Sequence, residues 1–232
     1  LLMTTTNHSA NPALIKNLPY DSINDFTMVS LIADLPGLLL VHPSDRYGTF
    51  QEFIAYAQRN SDLNYSSPGP GTFPHFSMAM LVSRAGLKMT HVPYKGSAPA
   101  LVDLMAGRVH AHIGAIVSAY GYVKAGRLKV LAVTSRTRMD MLPDVPTVAE
   151  SGYPGYESAY WSGIVAPKKL PEAIRSRLER TFMEAVQGDE ISKRLIADGQ
   201  RPLGSSGADL AARIRREIPE YQRIAREADI TM

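Results

Sequence analysis

Apolar positions along the chain alternate between short continuous runs and spaced stripes, the pattern of strands and helices taken in turn. Gly37-Leu38-Leu39-Leu40-Val41-His42-Pro43 is an apolar run closed by Gly and Pro, which predicts a buried strand. Thr49-Phe50-Gln51-Glu52 follows as a capping box, in which Thr49 takes a free amide and Glu52 reaches back. Phe50, Phe53, Ile54 and Ala57 then give the i, i+3, i+4, i+7 stripe of a helix packed on a sheet. The alternation continues: strand over Leu63–Ser67, helix over Phe73–Ala85, strand over Thr90–Tyr94, helix over Ala98–Ala106 closed by Gly107. Val109–Ala115 is the next strand, Ser118–Ala125 a helix closed by Gly126, and Leu128–Thr134 a strand. Repeated strand–helix units at this spacing predict an α/β fold with a mostly parallel sheet and helices on its faces.

Between Ser135 and Pro171 the pattern breaks into Pro- and Gly-rich loop, apart from a strand over Tyr160–Ala166. The similar tails Val41-His42-Pro43 and Val165-Ala166-Pro167 suit two strands crossing between lobes. Beyond Pro171, which fits a first helical position, the chain reads as helical, with Ile174, Leu178, Phe182 and Ala185 on one buried face. Ser206-Gly207-Ala208-Asp209 offers another cap, ahead of Leu210, Ile214, Ile218, Tyr221 and Ile224. Pro219 falls inside this run and is expected to kink the helix or split it. At the other end, Leu1-Leu2-Met3 reads as the end of a strand running into a polar loop at Thr4-Thr5-Thr6.

Composition narrows the class. The 232 residues are 45% hydrophobic and 20% charged, an ordinary globular balance that excludes disordered, fibrous and tail-like chains. Net charge is only +3, and the richest basic stretch, Arg213–Arg226, is interrupted by Glu217 and Glu220, so it reads as a solvated helix face. Nucleic-acid binding, which wants a basic stripe with interleaved aromatics, is not expected. There is no cysteine, which removes disulfides, thiolate metal sites and cysteine nucleophiles without fixing the compartment. No apolar run approaches the ~20 residues of a membrane span, and the first residues lack a signal peptide's basic and apolar regions.

The most informative local feature is Tyr65-Ser-Ser-Pro-Gly-Pro-Gly-Thr-Phe-Pro-His75, where a strand feeds a small, hydroxyl-bearing, Gly-rich loop that opens a helix. Unpaired amides at a helix start, with the Ser67 and Thr72 hydroxyls, suit a carboxylate or phosphate; a plain capped turn is the alternative. It is neither a P-loop nor a dinucleotide fingerprint. A second strand-to-helix loop, Val92–Ala100, adds Lys95 and the amides near Gly96 and Ser97, and both loops would lie at the carboxyl edge of the sheet. His110 and His112 lie two apart in a strand, but no acidic residue stands between Asp103 and Asp140 to complete a metal site, so no metal is expected. Gly-x-Ser-x-Gly is absent, and no Ser/His/Asp set recommends itself, which disfavours a hydrolase. Trp161, the only tryptophan, either lines an apolar cleft or packs in the core.

Several segments taken together carry a resemblance: Asn11-Pro-Ala-Leu-Ile-Lys-Asn-Leu-Pro-Tyr-Asp21, Gly71-Thr-Phe-Pro-His75, His91-Val-Pro-Tyr-Lys-Gly-Ser-Ala-Pro-Ala-Leu101 and Leu142-Pro-Asp-Val-Pro-Thr-Val-Ala-Glu-Ser-Gly152. The chain resembles the Bug-type extracytoplasmic solute-binding proteins of the tripartite tricarboxylate transporter class over nearly its whole length. The resemblance implies a two-lobed α/β fold of the type II periplasmic-binding-protein kind. Lobe one would comprise residues 1–40 and 167–232, and lobe two residues 41–166. It implies capture of a small organic acid in a cleft between the lobes and delivery to the transporter's membrane subunits, by a periplasmic monomer with no catalysis, no cofactor and no nucleic-acid partner. Carried over by motif, the ligand contacts are Thr6 and Asn7, then Ser66, Ser67, Gly71, Thr72 and His75, then Lys95 and Gly96, with the backbone at Ala115 and the side chain of Trp161 completing the wall. Against the family pattern, the first strand, Pro-Gly-Gly loop and helix of lobe one are not in this chain. Gly114-Ala115 also stands where the family often has an Asp-Asn pair, which implies a plain or aromatic carboxylate rather than an amino acid. A sensing module of the same fold, or a remnant that no longer binds, are the alternative readings.

Overall fold

The computed structural model describes residues 1–231. In chain order its elements are β1 (Leu2–Thr5), α1 (Asn7–Leu14), β2 (Phe26–Val41), α2 (Phe50–Arg59), β3 (Asn64–Ser67), α3 (Phe73–Arg84), β4 (Thr90–Pro93) and α4 (Ser97–Met105). They continue with β5 (Ala111–Ala115), α5 (Ile116–Lys124), β6 (Lys129–Val133), β7 (Ala159–Pro167), α6 (Glu172–Gln187), α7 (Asp189–Ala197), β8 (Arg201–Ser206) and α8 (Gly207–Glu227). The chain divides into two compact units, one of residues 1–35 with everything from Tyr160 onward, the other Pro36–Ala159. Both divisions fall in strands, β2 and β7, as do the boundaries at 40/41 and 166/167 drawn from the sequence.

In the first unit, β1 runs antiparallel to β7 from Leu2↔Val165 to Thr5↔Ser162, and the early part of β2 runs antiparallel to β8 from Ser30↔Ser206 to Asp34↔Arg201. Leu31, Trp161, Val165, Leu210 and Ile214 form one core cluster. On the second cluster, Val29, Ile164 and Ala166 receive the partly buried Leu178 and Phe182 of α6. Ile174, expected on that buried face, is 50% exposed, while Val186 is buried, so α6 covers the sheet only with its middle and end. α8 is held at its start by the capping box that Ser206 and Asp209 form. Of the expected kink or split at Pro219 the split does not occur, since α8 runs as one helix whose buried stripe of Leu210, Ile214, Tyr221 and Ile224 continues past the proline. Thr4 and Thr5 extend β1, and α1 starts directly after Thr6, where a polar loop was expected.

Gly207, the first residue of α8, lies so close to β2 that an added Cβ would sit 2.2 Å from the Met28 carbonyl oxygen. Because that neighbour is backbone and cannot swing aside, Gly207→Ala is expected to cost about 3 kcal/mol, read as a fall in the denaturation midpoint.

In the second unit the strand order is β4-β3-β5-β2, with β6 on the other side of β2. β3 is parallel to both β4 and β5, but β2 is antiparallel to β5 and to β6. The expected mostly parallel sheet is therefore a mixed one. The strand that brings the chain into this unit runs against its neighbours, and only strands joined by helical crossovers are parallel. Leu38, Leu39, Leu40 and Val41 are fully buried, as a central strand covered on both faces requires. The Thr49–Glu52 capping box forms as the sequence predicts.

Candidate functional site

Parallel pairing sets the geometry of the second unit. Ser67 lies opposite Pro93, and Ser66 opposite His112, so β3, β4 and β5 end at one edge of the sheet. Each is followed closely by a helix: α3, α4 and α5 begin there at Phe73, Ser97 and Ile116. The two loops singled out in the sequence are tied together at this edge, where Tyr94 N donates to Ser67 O at 2.9 Å and Gly96 N donates to Pro68 O at 3.2 Å. Gly96 holds φ +120°, open to glycine and strained for other residues.

The Gly-rich loop is largely satisfied within itself. Gly69 N donates to Ser67 Oγ at 3.1 Å, Thr72 Oγ1 donates to Gly69 O at 2.8 Å, and Gly71 N donates to His75 Nδ1 at 3.3 Å. Ser67 Oγ also meets His91 Nε2 at 2.7 Å, and the His91 ring stacks on His75 with centroids 3.6 Å apart. Tyr65 stacks on His91 as well. Burial holds the His75 imidazole down to about 3, with help from the charge of His91, and burial alone holds His91 near 4, so both rings are neutral around pH 7. His91 and Tyr65 were not among the sequence candidates. The signal was available in principle, because period-2 alternation puts Tyr65 and Ser67 on one face and the register sets Tyr65 against His91.

Adjacent strand residues point to opposite faces, which separates Ser66 from Ser67. Ser66 Oγ and Ser66 O both lie 3.0 Å from His112 Nδ1, on the face away from His91. Ser67, Gly71, Thr72 and His75 are thus brought together, Lys95 and Gly96 are joined to them through the paired loops, and Ala115 stands at the N-terminus of α5 on the same edge. Lys95 is exposed. His110 precedes β5 and binds Asn64, while His112 is wholly buried inside β5, so the two histidines do not form a pair.

The remaining candidates are in the first unit. Thr6 opens α1, its Oγ1 accepting from Trp161 N at 2.9 Å, and Asn7 is the exposed first residue of that helix. Trp161, expected on a ligand wall, is fully buried in the core, its Nε1 donating to Glu217 Oε2 at 2.8 Å and Arg213 lying over its ring.

A division among the helices marks these positions. α2, α6, α7 and α8 each carry an acidic residue in the first turn, namely Glu52, Glu172, Asp189 with Glu190, and Asp209. α1, α3, α4 and α5 carry neither an acidic residue there nor a side-chain cap, and their N-caps are Thr6, Thr72, Gly96 and Ala115. Helix starts expose amides and the positive end of the helix dipole. The chain's own carboxylates are kept from the four starts that hold the sequence candidates.

Comparison with known proteins agrees with this architecture. The family model described as tripartite tricarboxylate transporter family receptor matches residues 1–230. BugT of Bordetella pertussis is 30% identical over 216 residues, covering 93% of this chain and 66% of BugT. The structure of R. palustris Rpa4515 with adipate is 34% identical with a TM-score of 0.82, covering 99% of this chain and 78% of that one. MatC from Rhodopseudomonas palustris with bound malate is 30% identical with a TM-score of 0.76, covering 96% and 77%. The chain spans 62 to 67% of the length of the first three curated relatives it matches. With its model matched across nearly every residue, the chain belongs to the Bug-type family of tripartite tricarboxylate transporter receptors, which are solute-binding proteins and not enzymes.

Proposed function

We propose that the chain captures a small carboxylate on the uncapped helix starts at the carboxyl edge of β3, β4 and β5, with the start of α1 as a further anion-binding position. The observation that carries this reading is the division of the helices, since among the described residues these four starts alone lack both a cap and an acidic first turn. Lys95, exposed just ahead of α4, adds a positive charge at the same edge. Relatives solved with adipate and with malate support an acid as the ligand, and ligand held this way would be handed by a periplasmic monomer to the transporter's membrane subunits. Binding of this kind calls for no cofactor.

Ala115→Asp is expected to have two opposite effects. Ala115 has the extended conformation of an N-cap, φ −69° and ψ 143°, so an aspartate there caps α5 and raises stability by about 1 kcal/mol. The same carboxylate occupies the amides a ligand would use, so affinity for adipate or malate is expected to fall at least tenfold. A variant that is stabilised yet binds as tightly as the parent would contradict the proposal.

A further inference from the structure

Among the described residues, His112 Nε2 is the one buried side-chain nitrogen or oxygen of the second unit that has no hydrogen-bond partner. The residue is 0% exposed, in the middle of β5. Its Nδ1 faces the Ser66 carbonyl oxygen at 3.0 Å, so the neutral ring carries its proton on Nδ1 and its lone pair on Nε2. The far edge of the ring reaches along the strand and lies over Gly114: a Cβ added there would stand 2.9 Å from His112 Cδ2 and 3.1 Å from Nε2. Gly114 is therefore what lets the imidazole extend toward the strand end. The next residue, Ala115, opens α5, the nine-residue helix that starts with neither cap nor acid. A buried acceptor without a donor is costly, and such groups in native proteins have a reason for being unpaired.

We infer that His112 is a specificity-determining residue, whose Nε2 accepts a hydrogen bond from a hydroxyl on the ligand carbon next to the carboxylate held at the start of α5, so that the chain prefers 2-hydroxy acids. The two neighbouring features select different ends of one chemical group. The helix start favours a negative charge, whereas an imidazole lone pair repels a second carboxylate oxygen and takes only a donor. A hydroxyl on the adjacent carbon meets both demands. This inference rests on the carboxylate reading above and adds the class of acid to it.

Matched pairs of acids that differ by the one hydroxyl test it on the unaltered protein: malate against succinate, lactate against propionate, citrate against tricarballylate, mandelate against phenylacetate. Calorimetric titration is expected to show the hydroxy acid bound about tenfold more tightly in the pair that fits the site. His112→Phe, which keeps a ring and removes both nitrogens, is expected to bring that pair level. Plain acids bound as tightly as their hydroxy partners would overturn the inference and leave the carboxylate reading standing, as would a preference that survives His112→Phe in a folded variant. No binding of any acid in the four pairs would overturn both.

Discussion

Replacing Asp34 with alanine is expected to cost about 3–5 kcal/mol of unfolding free energy, a large share of what holds an ordinary domain folded. Asp34 lies in β2 and is 1% exposed. It receives Arg201 Nη2 at 2.7 Å and Nε at 3.0 Å, and Arg213 Nη1 at 3.3 Å. Arg213, itself 8% exposed, donates through Nε to Glu217 Oε1 at 2.8 Å, and the other oxygen of Glu217 accepts from the Trp161 indole. Two guanidinium groups thus meet two carboxylates. Removing Asp34 takes the shared carboxylate from Arg213, 8% exposed, and from the partly exposed Arg201, and the burial of Arg213 is why the loss exceeds that of a surface ion pair. Trp161 is the only tryptophan, is fully buried and belongs to the same set, so its fluorescence reports the unfolding of this unit directly. A urea midpoint that moves by less than about 1 kcal/mol equivalent would show that the charges are solvated after all.

The second large effect is acid sensitivity between pH 6.5 and 4. His112 is held near 4 by burial, only partly offset by its bond to Ser66, while an unfolded histidine titrates near 6.5. A folded value below the unfolded one means that the unfolded chain takes up the proton first. The stability this neutral ring contributes is fully present above pH 6.5 and is lost as pH falls toward the folded value. For His112 the loss is about 3 kcal/mol by pH 4. His75 and His91, also held down by burial, act in the same direction. The depressed carboxylates work in a lower window: Glu52, Glu150 and Glu172 stabilise the fold above their unfolded values near 4.5 and lose that contribution below them. Denaturation midpoints at pH 8, 6.5, 5 and 4 separate the two groups. A decline already under way between 6.5 and 5, and reduced in His112→Phe, is the expected result; a flat profile down to pH 5 would contradict the role given to the histidines.

What could be read from the sequence depends on the range over which each feature is encoded. Both capping boxes, Thr49–Glu52 and Ser206–Asp209, are local patterns of four residues, and both form as written. The clustering of Ser67, Gly71, Thr72 and His75 was legible because they share one loop, yet their association with His91 depends on a strand pairing 24 residues away. α1 escaped notice because it is eight residues long, contains Pro12 and carries no clear apolar period. β8 escaped because Pro202 and Gly204 disguise a strand that pairs with β2 across more than 160 residues of chain. The Asp34–Arg201–Arg213 set is invisible in sequence for the same reason. Trp161 shows how far residue type reaches: a lone tryptophan suits an apolar cleft or the core, the resemblance implied a ligand wall, and its indole N–H found the Glu217 carboxylate and its ring the core.

Capture of a small carboxylate is tested most directly by thermal unfolding of the purified protein with mono-, di- and tricarboxylates and aromatic acids, followed by calorimetric titration of any that stabilise it. One class of acid is expected to raise the midpoint, by about 2.7 kcal/mol equivalent at a hundredfold excess over Kd. It should do so less in Ala115→Asp than in the parent. A midpoint indifferent to every acid, with no heat of binding, would contradict carboxylate capture and leave the uncapped helix starts without a ligand.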